Sequence, residues 1–139
     1  MLHSTTTLAI GTLAVAALAL TGCAQLSGIA LGEATTHVET RADLEDAPAW
    51  MPADAEDITV TVGTEGSSGS APSSTVFTSK DGVTSDRCTT VPRKSAPTMS
   101  ISGAPDPYAA EQVTKCGAWS MTSEGTRWLA WTPNTEDEE

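Results

Sequence analysis

Phenylalanine and tyrosine are nearly absent from this chain, one of each beside four tryptophans. Any core must therefore be built from small aliphatic side chains and indoles. Basic residues are scarce too: seven Lys plus Arg stand against eighteen Asp plus Glu, for a formal net charge of −11. That balance argues against a nucleic-acid binder, which needs a cationic face to displace counterions from phosphate. The only histidines are His3 and His37, so a Ser-His-Asp site lacks an obvious imidazole. There is no Cys-x-x-Cys pair, no phosphate-binding Gly-x-x-x-x-Gly-Lys loop and no dinucleotide fingerprint. No cofactor or metal is expected, and at 139 residues the chain holds one domain at most.

Long hydrophobic runs are also missing. The longest, Leu8 to Leu20, has thirteen uncharged residues, short of the roughly 20 needed to span a bilayer but right for the apolar part of a signal peptide. Directly after it comes Leu20-Thr21-Gly22-Cys23, which resembles the bacterial lipobox at every position. The resemblance implies that residues 1–22 are a removed signal peptide, and that Cys23 carries diacylglycerol and an N-acyl chain such as palmitate. The expected location is extracytoplasmic, with the protein lipid-anchored to the outer face of the cell membrane; two or more acyl chains on one residue hold durably where one does not. The segment before the apolar run, MLHSTTT, has no Lys or Arg, unlike ordinary export signals. We therefore expect the encoded start to lie upstream of Met1.

If Cys23 is consumed by lipid, Cys88 and Cys116 remain as an even pair in an oxidising compartment, and a disulfide between them is expected. Closing that loop removes roughly 3.6 kcal/mol of unfolded-state entropy. Residues 23–47, with five acids and one Arg, read as an acidic flexible tether, and residues 134–139, ending Glu136-Asp137-Glu138-Glu139, as a disordered acidic tail. The folding unit is then 48–133, a small disulfide-stapled domain with a formal charge of only −3, against −4 each for tether and tail.

Within that unit, Asp57 to Val62 alternates with Ile58, Val60 and Val62 on one face, the clearest strand. Pro52 to Asp57 suits one helical turn. Ser74 to Ser79 is expected to pair with the first strand, and Thr98 to Ile101 alternates briefly as a third. Asp106, as N-cap before Pro107, predicts a short helix to Val113. Ser123-Glu124-Gly125 joins 117–122 to 126–132 as a hairpin. The fold class is thus mainly β with one or two short helices, α+β being the alternative. In the hairpin Trp119 and Met121 share a face, whereas Trp128 and Trp131 have opposite parity. One of the two is expected to be partly exposed, or the strand bulged.

Two readings stand open for the tryptophans: bulk for a core short of Phe and Leu, or a recognition surface of Trp119, Arg127, Trp128 and Trp131 for a protein or wall glycan. Arg87, Arg93 and Lys94 form a cationic cluster, read either as a solvated loop or as an anion contact. Nothing in the sequence sets two carboxylates across a cleft, so we expect a binding or accessory module rather than an enzyme. The alternative is a small wall-modifying hydrolase using surface carboxylates such as Asp54, Glu56 and Asp57.

Four segments carry a further resemblance: Pro48 through Ile58, Cys88 with Val91-Pro92-Arg93, Cys116-Gly117-Ala118-Trp119, and Trp128 through Pro133. Together they look like short uncharacterised lipoproteins of high-GC Gram-positive bacteria. This implies a small extracytoplasmic domain in the cell envelope and no particular activity.

Overall fold

The computed structural model describes residues 32–64 and 71–134. The signal peptide, the lipobox with Cys23, part of the connection after Gly63 and residues 135–139 of the tail lie outside the described residues. Seven strands are present: β1 Ala34–Thr40, β2 Glu56–Val62, β3 Ser73–Thr78, β4 Cys88–Pro92, β5 Gln112–Cys116, β6 Trp119–Glu124 and β7 Arg127–Thr132. They form one antiparallel sheet in the order β1-β2-β3-β7-β6-β5-β4. The protein is therefore mainly β, the only helical elements among the described residues being 3-10 turns at Arg41–Asp43 and Pro107–Ala109.

Local sequence explains much of this. Two-residue loops connect β5 to β6 and β6 to β7, since Cys116 pairs with Trp119 and Glu124 with Arg127. Each loop begins with a glycine at positive φ, Gly117 and Gly125, as the first position of a type II′ turn requires. At the start of β2 the register with β3 shifts between Glu56 and Thr59, and Asp57 there adopts a φ of 50°. This is a β-bulge with its extra residue in the left-handed region, where Asp is among the better tolerated side chains. Cys88 and Cys116 are direct cross-strand partners and are disulfide-bonded.

The sheet buries both of its faces. On the front face Ile58, Phe77, Met121 and Ala130 are buried, with Trp128 packed against them. On the back face Val76, Val113, Leu129 and Trp131 form a separate core. Among the described residues neither face is covered by an α-helix or a second sheet. One irregular strap, 41–55, lays Met51, Ala55 and Trp50 onto the front core. Another, 93–111, brings Ile101 and Ala104 to the back. Each strap is pinched at its base by an arginine: Arg41 N–H donates to Ala55 O and Arg41 Nε to Met51 O, while Arg93 N–H donates to Glu111 O and Arg93 Nε to Ala110 O.

Several expectations are corrected. Residues 34–43, assigned to the tether, form β1 and the turn after it, because Thr35, Thr36 and Val38 suit a pleated edge and pair with β2. The folding unit thus begins before Pro48. It also extends to Asn134, which is buried and donates from Nδ2 to Gly117 O. Asp106 does cap, accepting from Tyr108 N–H at 2.9 Å, but the helix it starts is a single 3-10 turn. Val113 and Thr114 are β-branched, and Val113 is more stabilising in the back core, so the chain leaves as β5. Thr98 to Ile101 is part of the back strap rather than a strand, and Pro52 to Asp57 makes a turn closed by Ala55 N–H on Pro52 O.

Candidate functional site

Both straps leave open space. Beside the back strap, Met99, Ile101, Tyr108 and Leu129 line about 430 Å³. On the front face, the end of the sheet away from Phe77 and Met51 is left as a groove of about 390 Å³, within the size range of small ligand sites. Its floor is the front side of three strands: Thr36 and Val38 of β1, Val60 and Val62 of β2, Ser73 and Thr75 of β3. Register dictates this, since Thr36 pairs with Val60 and Val60 with Thr75, placing all three on one face. Val62 is 37% exposed at its mouth. Leu44 and Pro48 of the front strap form one wall, and with them come Asp43, Glu45 and Asp46. Trp119, at the start of β6, bounds the groove beyond β3. Its indole is backed by Trp50 of the strap at a centroid distance of 5.4 Å, and Trp50 in turn packs on Phe77 at 6.0 Å. The Trp50 Nε1 is buried without a hydrogen-bond partner among the described residues.

This strap is held down by a carboxylate. Asp54 accepts from Ser79 Oγ at 2.6 Å and from the backbone N–H groups of Lys80 and Asp81 at 2.8 and 3.1 Å. The Ser79 hydroxyl, then the Asp81 N–H, keep its carboxyl below the usual carboxylate range; the Lys80 N–H adds to this, and partial burial acts the other way. Asp43 is also engaged, accepting from the N–H and hydroxyl of Thr40. Glu45 and Asp46 are exposed.

The proposed recognition surface does not form as one patch. Trp119 lines the groove, and Trp128 lies partly buried on the same face, stacked on Phe77 at 6.1 Å. Trp131 is fully buried on the opposite face, where its Nε1 donates to Ser95 Oγ at 2.8 Å. The strand carrying both is regular in its pairing on either side. Opposite parity costs nothing here because both faces are cores, so only the partial exposure of Trp128 remains from that expectation. Arg127 is tied to Asp57 at 2.7 Å and to Thr78 Oγ1 at 3.0 Å on the back of the sheet.

The cationic cluster separates as well. Arg87 precedes β4, and Arg93 and Lys94 follow it, so one strand length of about 17 Å divides them. Arg93 closes the back strap and lies over the Tyr108 ring at 5.2 Å, so it acts there as a structural clip.

His37, placed by the sequence reading in the tether, is instead the middle of β1. Its Nδ1 shares a hydrogen bond with Thr59 Oγ1 at 3.1 Å, and its Nε2 lies 3.4 Å from Glu39 and 3.9 Å from Asp57. Hydroxyl, imidazole and carboxylate occur in the order used by acyl-transfer sites, but Asp57 is beyond hydrogen-bond range of the ring and committed to Arg127. Among the described residues no group of His, Cys, Asp or Glu is arranged to hold a metal ion.

The groove residues were hidden in the sequence because the acids on its wall resemble a solvated spacer. The available signal was the β-branched stretch from Thr35 to Val38, whose front-facing members match Val60 and Val62. No protein-family model, curated protein or solved structure matches this chain.

Proposed function

We propose that the protein is a lipid-anchored binding or accessory module of the cell envelope, held to the outer face of the membrane through Cys23, and that it engages a partner through the front groove. The groove carries the reading: three strands floor it with Val38, Val60 and Val62 beside Thr36, Ser73 and Thr75, and Trp119 stands at its margin. Large indoles at the margin of a concave site are favoured anchors for partners. The match of Leu20-Thr21-Gly22-Cys23 to the lipobox supports the address, and the Cys88–Cys116 bridge is consistent with an oxidising compartment.

The anchor is tested by feeding cells a labelled fatty acid: the protein becomes labelled, and Cys23→Ser abolishes the label. Retained label on the Ser variant sinks the anchor. The groove is tested by placing a photo-crosslinking amino acid at Val62 or, as a control, at exposed Glu111 of the back strap. Discrete adducts from Val62 alone support the reading. Adducts from neither position, or identical ones from both, count against it.

A further inference from the structure

The floor of the groove reaches the edge of the sheet. Thr36 and Val38 belong to β1, and among the described residues β1 pairs only with β2. Its outer side therefore presents main-chain N–H and C=O groups of an extended strand. Such an edge is a template for another strand unless it is short, charged inward or covered. Here Thr36 and Val38 line the groove without charge, Ala34 shares their face, and the strand is as long as any in the sheet.

Acids flank this edge on both sides. Glu45 and Asp46 stand on the groove wall over the front face, and Glu39 projects from the back of β1 with 84% of its side chain exposed. Arg41, the nearest cation in sequence, is directed to Met51 O and away from this role. An occupant that satisfies the strand edge, fills an aliphatic floor and complements acids on both faces has three chemical features. It has a peptide backbone, alternating apolar side chains and positive charge. A wall glycan offers neither the main-chain pairing nor the cations.

Resting on the binding-module reading, we propose that the groove and the free edge of β1 together receive an extended, lysine- or arginine-bearing segment of another protein. It adds as a further strand beside β1, with its front-facing aliphatic side chains against Thr36 and Val38. This is strand addition: main-chain hydrogen bonds supply affinity, and the pockets for alternate side chains supply selectivity.

The test uses the full chain in nonionic detergent and a fluorescein-labelled peptide of alternating lysine and leucine, read by anisotropy. Saturable binding is expected, weakened by added salt and weakened about tenfold by Glu39→Lys with Glu45→Lys, both exposed positions where folding is little affected. Backbone N-methylation of alternate peptide residues abolishes it, and the glutamate-leucine counterpart does not bind. Equal binding of the methylated or acidic peptide overturns the proposal, as does saturable binding of a neutral chitin oligosaccharide in place of the peptide. Sedimentation showing a dimer that the peptide fails to dissociate assigns the edge to a second copy and overturns it too. Loss of peptide binding with intact Val62 crosslinks rejects this partner and keeps the module. Loss of both rejects the module.

Discussion

The front and back straps solve the same problem by different means. Each crosses one face of a single sheet, and each is pinched by an arginine on a backbone carbonyl. The back strap meets a face that contains buried polar groups, and it hydrogen-bonds to them. Trp131 Nε1 donates to Ser95 Oγ, and Ser74 Oγ to Met99 O. It is also enclosed within the disulfide loop from Cys88 to Cys116. The front strap has no covalent closure. It relies on apolar contacts from Met51, Ala55 and Trp50 and on one carboxylate, Asp54, that binds a neighbouring turn. The ties alone do not decide what stays open, since about 430 Å³ of space also lies against the back strap; the front groove differs in its three-strand floor and the indole at its margin.

Truncating the back anchor should have the largest effect. Trp131→Ala removes a fully buried indole and its hydrogen bond to Ser95, costing about 3–5 kcal/mol in denaturant melts. A melt within error of wild type breaks the claim that this strap carries the domain. Next, replacing both Cys88 and Cys116 by Ala is expected to cost roughly 3.6 kcal/mol. Hydrogen exchange should then rise first in 93–111 and last in 41–55. Equal acceleration in both straps would erase the distinction drawn between them.

Asp54 provides a smaller, pH-dependent handle on the front strap. Its folded carboxyl titrates below its unfolded value. The stability it contributes is thus fully present above the ordinary carboxylate range and is lost as pH falls through the depressed folded value. In Asp54→Asn that part of the acid-induced loss should vanish from a series of melts between neutral and strongly acidic pH, with reduced stability at neutral pH. An unchanged acid limb would mean that the turn at Lys80 and Asp81 does not anchor the strap. Smallest of all is the back-surface pair: Arg127→Met should cost about 0.5–1 kcal/mol, since Asp57 is more than half exposed. A larger loss would show that the bulge at Asp57 depends on its partner.

The legible parts of this fold were those with two strong neighbours. β2, β3, the β6–β7 hairpin and the disulfide were all expected, because alternation, turn glycines and cysteine parity are local signals. The missed strands are β1, β4 and β5; the first two are the edges of the sheet, and β5 lies between β6 and β4. β1 was hidden by the acids around it, which read as a spacer, and β4 by Arg87, Arg93 and Lys94 at its ends, which read as a solvated loop. Likewise Asp106 and Pro107 encode how a helix begins and not how far it runs. The groove was illegible for a related reason: its acids were counted with a spacer, whereas its floor depends on a register between β1 and β2 that no local pattern specifies. With 33–46 folded, the module is more acidic than the sequence reading assigned, since those acids belong to its surface.

That β1 lies in the sheet also sets a leash. Eight residues, or nine residue steps, separate Cys23 from Gly32, the first described position. However they run, covalent geometry limits their reach to about 30 Å. On the lipid-anchored reading, the groove then patrols a thin shell against the bilayer and not the depth of the wall. Its partners would be drawn from proteins that present a basic stretch next to the membrane, and each encounter becomes a search in two dimensions.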